Sequence, residues 1–341
     1  MTIIINMREG VDWEKIKIAA RFIKEAKLVA FPTETVYGLG ADALNDNAVR
    51  KIFKAKGRPP DNPLIIHIAE FNQVYELARD VPERAKILAE NFWPGPLTIV
   101  LPKKEEVPYV TTGGLDTVAI RMPAHEIALA LIKSSGRPIA APSANISGKP
   151  SPTLAEHVAD DFYGKIECII DGGETKIGVE STVIDLTTDP PMLLRPGGLP
   201  LERIKSIIGE VKIHPAVKGK AVELAKAPGM KYKHYAPEAQ VIIIDGERER
   251  VIKKIKELID EYKKQGIKVG VMATGDFYEA DSYFNIGESE EEIARNLFKA
   301  LRELDKSGVE IILAEGIAEH GLGLAVMNRL KKAAGYRIIK V

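Results

Sequence analysis

Five apolar runs of strand length each end in, or just before, a side chain able to hold an anion or an amino acid. They are Ile65-Ile66-His67, Val118-Ala119-Ile120-Arg121, Ile139-Ala140-Ala141-Pro142-Ser143, the start at Val179-Glu180-Ser181, and Met192-Leu193-Leu194-Arg195. Segments of helical periodicity are interspersed among them, which constrains the chain to an α/β sheet with helical crossovers. Ligands of such sheets sit beyond the strand ends, so the polar ends define one shared pocket. A sixth segment, Lys54-Ala55-Lys56-Gly57-Arg58, adds three cations within five positions. The expected pocket is cationic and polar.

The rest of the protein is electrically neutral. Its 48 basic and 48 acidic residues cancel, so no global field draws it to nucleic acid. At 341 residues the chain is long for one core, and two domains are expected. No apolar stretch approaches the ~20 residues of a membrane span. The start, Met1-Thr2-Ile3-Ile4-Ile5-Asn6, is too short for a secretory leader and lacks its small-residue cleavage site. A single cysteine, Cys168, excludes an intrachain disulfide and a zinc site of several thiolates. The expectation is a cytoplasmic protein with no membrane partner.

Helical spacing of Trp13, Ile16, Ala20 and Ile23 predicts a helix over 12–26, and Lys27 to Phe31 reads as a buried strand stopped by Pro32. A second helix is expected from Asp46, read as its cap, into the cationic cluster and the breaker Pro59-Pro60. Residues 63–69 alternate, with Leu64, Ile66 and Ile68 on one face and Ile65 and His67 on the other. Further strands are expected at 97–101, 117–121, 138–141, 166–170, 182–186 and 192–195, and helices near 82–92, 124–134 and 153–160. The irregular order suggests a mixed sheet. The first domain is expected to span 1–208, followed by a linker over 209–237 without a convincing period. In 238–341 the strands 241–245, 269–273 and 311–314 alternate with helices at 247–264, 289–306 and 324–334. That pattern predicts a smaller, parallel α/β domain.

Each polar segment has an ordinary structural alternative. Phe31 to Gly40 offers two threonine hydroxyls and glycines for close backbone approach, but reads equally as a Pro/Gly turn. Lys54, Lys56 and Arg58 suit a helix C-terminus as well as phosphate oxygens; no GxxxxGK[ST] loop is present. His67 has no second histidine at metal-ligand spacing. Arg121 shares its strand face with the small Ala119, which leaves room for a carboxylate. Ser143-Ala144-Asn145 makes a cap or a phosphate cradle, and no GxSxG elbow surrounds the serine. Gly321-Leu322-Gly323 lacks the third glycine of a dinucleotide fingerprint and reads as loop-to-helix packing. Taken together, the set suits ATP plus a small polar partner, with Mg²⁺ held through phosphates and water and no metal ligand from the protein.

Seven ordered motifs resemble the signature of the YrdC/YciO-type threonylcarbamoyl-AMP synthase family. They are Pro32-Thr33-Glu34-Thr35-Val36-Tyr37-Gly38-Leu39, Lys56-Gly57-Arg58, Asn62-Pro63-Leu64, Trp93-Pro94-Gly95-Pro96-Leu97-Thr98, Arg121-Met122-Pro123, Ser143-Ala144-Asn145 and Glu180-Ser181-Thr182-Val183. Ala227 to Pro237 is similar to the linker of the long, two-domain form, and residues 238–341 resemble that form's small Rossmann-like domain. The resemblance implies a nucleotidyltransferase that makes threonylcarbamoyl-adenylate and pyrophosphate from L-threonine, bicarbonate or CO₂, and ATP with Mg²⁺. Its product would serve the N6-threonylcarbamoyl modification of adenosine 37 in tRNA, with a separate complex performing the transfer.

By the same resemblance Lys56 and Arg58 are the catalytic cations. ATP would be held by Lys56, Arg58, Asn62, Thr117, Ser143, Asn145, Ser151, Arg195 and Tyr235. Threonine would be held by Thr33, Thr35, His67, Arg121 and Ser181. The linker would fold over the pocket. Two other readings were weighed. A double-stranded RNA-binding module of the same fold would use a concave basic surface, against which the neutral charge argues; direct RNA contact is not required by the enzyme reading. A carbamoyl-adenylate module of hydrogenase maturation would bring cysteine-rich zinc motifs, which one cysteine removes.

Overall fold

In the computed structural model, residues 1–220, 225–228, 230, 235–275 and 278–341 are described. Contacts divide the chain into two units, Met1–Ser147 with Ser151–Tyr232, and Gly148–Pro150 with Lys233–Val341. The expected linker motif of residues 227–237 falls partly outside the described residues.

The first unit runs β1 (Ile3–Asn6), α1 (Trp13–Lys24), β2 (Val29–Phe31), β3 (Gly38–Asp42), α2 (Asp46–Lys56), β4 (Ile65–His67), α3 (Val74–Leu77), α4 (Glu83–Phe92) and β5 (Leu97–Pro102). It continues β6 (Thr117–Arg121), α5 (Glu126–Ser135), β7 (Ile139–Ala140), α6 (Ala155–Phe162), β8 (Cys168–Asp171), β9 (Thr182–Asp185), β10 (Met192–Arg195), α7 (Leu201–Ile208) and β11 (Lys212–Ile213). The strands form one mixed sheet in the order β1-β8-β2-β3-β7-β4-β6-β5-β9-β10-β11.

Three local expectations change. The cap of α2 is Asn45, whose side chain accepts from the Ala48 amide at 3.1 Å, and Asp46 is the first helical residue. The run read as a Pro/Gly turn ends in the fully buried strand β3. Glycine is what admits it there: a Cβ on Gly40 would stand 2.8 Å from both Ile139 and Phe31. The alternation at 63–69 shortens to three residues buried on both faces, because Ile66 packs in the main core and Ile65 in a second apolar cluster on the opposite face.

The sheet's two faces are dressed differently. On one, Ile66, Ile99, Ile120, Ile184 and Leu193 join side chains of α2, α4, α6 and α7 in the main core. On the other, α1 and α5 pack over β1, β8, β2 and β7. Over β4, β6, β5, β9 and β10, that second face holds a small apolar cluster of Ile65, Val100, Ala119, Val183 and Leu194. Among the described residues, no helix contributes to this cluster. Side-chain alternation puts His67 beside Ile65 and Arg121 beside Ala119 on it.

The second unit contains β12 (Gln240–Asp245), α8 (Arg248–Lys264), β13 (Val269–Ala273), β14 (Ser282–Asn285), α9 (Glu290–Lys306), β15 (Ile311–Glu315), α10 (Gly323–Ala333) and β16 (Ile338–Lys340). Its sheet is parallel throughout, in the order β14-β13-β15-β12-β16. Strands β14 and β16 join the three expected ones. Gly323 opens α10, as loop-to-helix packing requires. Among the described residues, no helix is long and apolar enough to cross a membrane.

Candidate active site

The helix-free part of the sheet face is apolar at one end of its strands and polar at the other. At the polar end His67 and Arg121 are register partners on parallel strands. Arg121 is 3% exposed: Nε donates to the Gly95 carbonyl at 3.2 Å, Nη1 to Thr35 Oγ1 at 3.0 Å, and Nη2 makes an ion pair, not a hydrogen bond, at 2.7 Å from Glu34 Oε2. Planar, five-donor guanidinium suits such fixing, and its remaining N–H groups are those that a carboxylate can take. His67 is buried with no partner for Nδ1 among the described residues. Burial, then the Arg121 charge, lowers its pKa from 6.5 to about 3. The imidazole is therefore neutral at physiological pH, a hydrogen-bonding group and not a cation.

The other side of the polar end is built by Ser181, just before β9, and Arg195, which ends β10. Ser181 Oγ shares a hydrogen with Thr98 Oγ1 at 2.8 Å. Arg195 donates Nε and Nη2 to the Ser181 carbonyl, and Nη2 also to Ser181 Oγ at 3.1 Å. Ser151 Oγ donates to Glu180 Oε1 at 2.7 Å. Of the two threonines in the first motif, Thr35 faces Arg121. Thr33 turns its hydroxyl to its own loop, donating to the Val36 carbonyl at 2.7 Å and accepting from the amides of Thr35 and Val36.

Lys56 and Arg58 come from the C-terminal end of α2, where Gly57 takes the left-handed conformation. Both side chains fold inward, at 2% and 8% exposure, so these two are not a solvated helix end, while Lys54 is exposed. Lys56 Nζ donates to the carbonyls of Ser143 and Asn145, and the Ser147 amide returns a bond to the Lys56 carbonyl at 2.9 Å. The Ser143-Ala144-Asn145 loop is thereby tied to the cation cluster. Arg58 lies over the Phe53 ring and donates to the Asn62 carbonyl at 3.3 Å. The Asn62 side chain is fully buried, and neither of its amide atoms has a partner among the described residues. An unpartnered buried amide costs free energy that a ligand recovers.

Thr117 stands apart from these groups, and Tyr235 lies in the other unit. Thr117 begins β6 opposite Pro102, four residues from Arg121, or about 13 Å along the strand. Tyr235 belongs to the second unit, where its ring packs on Phe298 at 5.2 Å and beneath the Arg329 guanidinium.

Of the groups that close the apolar end, sequence reasoning placed Ala227 and Pro228 in the linker motif by resemblance but gave none of their contacts, and it passed over Lys226. Lys226 Nζ pairs with the buried Asp185 carboxylate at 3.1 Å. Ala227 is wholly buried against Ile65, Val100, Ala119, Val183 and Leu194. The Pro228 carbonyl accepts from Arg195 Nη1 at 3.3 Å. These three successive residues strap the face just short of the His67–Arg121 pair. Glu34 and Thr98 were also passed over, although each lies inside a motif. Surface cavities of about 510 and 370 Å³ lie elsewhere, one along 6–15 and one among Lys51, Lys54, Lys165 and Glu167. The lysines of the second are exposed, so it does not rival the buried cations as an anion site.

Known proteins resemble the chain throughout its length. A profile of the Sua5–YciO–YrdC family, described as telomere recombination, matches residues 21–197, and the C-terminal domain profile of threonylcarbamoyl-AMP synthase matches 199–335. A threonylcarbamoyl-AMP synthase of Pyrococcus abyssi is 71% identical over 341 residues, covering 100% of both chains. The Bacillus subtilis protein of that name is 52% identical over 333 residues, covering 96% of this chain and 94% of its own. A crystal structure of P. abyssi Sua5 complexed with L-threonine has a TM-score of 0.98 at 71% identity, with 100% of each chain covered.

Proposed function

The chain belongs to the Sua5–YciO–YrdC family in its two-domain, threonylcarbamoyl-AMP synthase form, and we propose from that membership how its residues divide the work. The reaction is nucleotidyl transfer: threonylcarbamoyl-adenylate and pyrophosphate are made from L-threonine, ATP and bicarbonate or CO₂. The observation that carries the division is the tie of Lys56 to the Ser143–Asn145 loop, beside a strand-end pair, His67 and Arg121, of amino-acid size.

Threonine sits with its carboxylate on Arg121, near Thr35 and Ser181, and its hydroxyl within reach of neutral His67. Its amine takes up CO₂, supplied by bicarbonate, as a carbamate. A carbamate oxygen then bonds to the α-phosphorus of ATP while the bond to the β-phosphate oxygen breaks and pyrophosphate leaves. Nothing in this sequence needs a covalent nucleophile; it needs in-line positioning and neutralised phosphate charge. Lys56, Arg58, Ser143, Asn145, Asn62 and Arg195 supply those, with Ser151 and Thr117 further along the nucleotide. Mg²⁺ arrives with ATP, on its phosphates and water. The strap at 226–228 excludes water from the apolar end, which protects carbamate and adenylate from hydrolysis. The product passes to a separate complex that modifies adenosine 37 of tRNA.

Pyrophosphate release by the purified full chain with Mg-ATP tests this reading. Release that requires both threonine and bicarbonate is expected. Release indifferent to either one would sink it.

A further inference from the structure

We propose that Glu34 sets the charge selectivity of the amino-acid pocket, making it prefer a zwitterion to an anion. The inference rests on the threonine reading above and names a residue outside the motif positions assigned there. Glu34 Oε2 lies 2.7 Å from Arg121 Nη2, with the two side chains 5% and 4% exposed. Neither of its carboxylate oxygens accepts a hydrogen bond among the described residues, so its contact with Arg121 is an ion pair alone. A buried carboxylate held by one cation is expensive to desolvate, and a neutral residue of similar shape would avoid that cost. The charge is therefore well placed to act on what Arg121 binds.

Neighbouring histidines do not cancel it. His125 has its pKa lowered by burial, which Glu34 and Glu126 oppose and Lys176 reinforces. His67, beside Arg121, is neutral as well. The guanidinium and the carboxylate thus form a buried pair of opposite charges at the polar end of the strands. An α-amino acid carries the complementary pair on adjacent groups. When its carboxylate takes the free N–H groups of Arg121, its ammonium enters the field of Glu34, and charges in a dry site act over several ångströms. A hydroxy acid without the amine meets the same carboxylate as repulsion alone.

Calorimetric titration of the full chain with L-threonine and with (R)-3-hydroxybutanoate, the same skeleton without the amine, tests the proposal. The native chain is expected to bind threonine more tightly. In Glu34→Gln the ratio of the two affinities should fall at least tenfold, and Glu34→Asp should restore most of it. A double difference of this kind isolates the coupling between Glu34 and the ammonium from any general damage. Equal losses for both ligands in Glu34→Gln would reduce Glu34 to a structural support for Arg121 and overturn the proposal. So would equal affinities in the native chain, a measurement that needs no variant to fold. A native chain that binds no threonine would defeat the substrate reading itself, which the pyrophosphate assay checks separately.

Discussion

His67 faces Arg121 across the β4–β6 ladder, and the pair is held with one charge, not two. Burial first, and the guanidinium second, keep the imidazole neutral down to a pKa of about 3. An unfolded histidine takes up its proton near pH 6.5, so between about 6.5 and 3 the unfolded chain binds more protons than the folded one. The contribution of His67 to stability is full above that window and falls by about 1.4 kcal/mol per pH unit as acid is added. Denaturant unfolding at pH 7.5 and at pH 5 should show this. The native chain should lose more stability across the interval than His67→Asn does, and equal losses would mean the imidazole is not held neutral.

Lys56 and Arg58 are buried cations that fold onto the loop carrying Ser143 and Asn145. Replacing either with alanine should lower the rate of pyrophosphate release more than tenfold, about 1.4 kcal/mol or more. Lys56→Met should also destabilise the fold by about 1–3 kcal/mol, because two carbonyls lose a buried donor. Steady-state kinetics and denaturant titration read the two effects separately. A near-normal rate in both alanine variants would remove the cluster from the chemistry.

The strand ends were legible because alternation and length are local. Thr117–Arg121 and Met192–Arg195 form with the bounds their residues suggest, and the polar residue closing each lies at the candidate site. Strand β3 was not legible, since Gly38, Gly40 and Asp42 are poor strand formers and earn their place only from neighbours that cover both faces. Strands β14 and β16 are half exposed and show no clear alternation. Glu34 looked like one more polar residue in a turn, because its partner lies 87 positions away in β6. The contacts of the strap had no signal for a similar reason: Ala227 and Pro228 were marked only by the resemblance of the linker motif, Lys226 by nothing, and their partners lie on strands distant in sequence.

The strap can be loosened from one end. Asp185 is 1% exposed on its side chain and also accepts from the amide and hydroxyl of Thr187, so Asp185→Asn keeps a hydrogen-bonding group but releases Lys226. Limited trypsin digestion followed by mass spectrometry should find cleavage after Lys226 faster in the variant, by about fivefold or more, if the pair contributes about 1 kcal/mol to local closure. The native chain should be protected there by the burial of Ala227. Unchanged cleavage after Lys226 would show that the apolar contact alone holds the segment.

Gly95 links a backbone constraint to substrate binding. Its carbonyl accepts from Arg121 Nε, and the residue lies so close to the end of α4 that a Cβ built on it would stand 2.2 Å from the Phe92 carbonyl oxygen. No side chain can rotate away from that clash, because the obstructing atom is backbone. Gly95→Ala must therefore shift the 92–95 turn and carry the acceptor of Arg121 with it. The expected outcome is a loss of about 1–3 kcal/mol of stability, with the KM for threonine raised severalfold and the KM for ATP changed less. Thermal unfolding and two-substrate kinetics check both parts. A variant that loses stability while keeping the native KM for threonine would show that Arg121 holds its position through Thr35 and Glu34 alone.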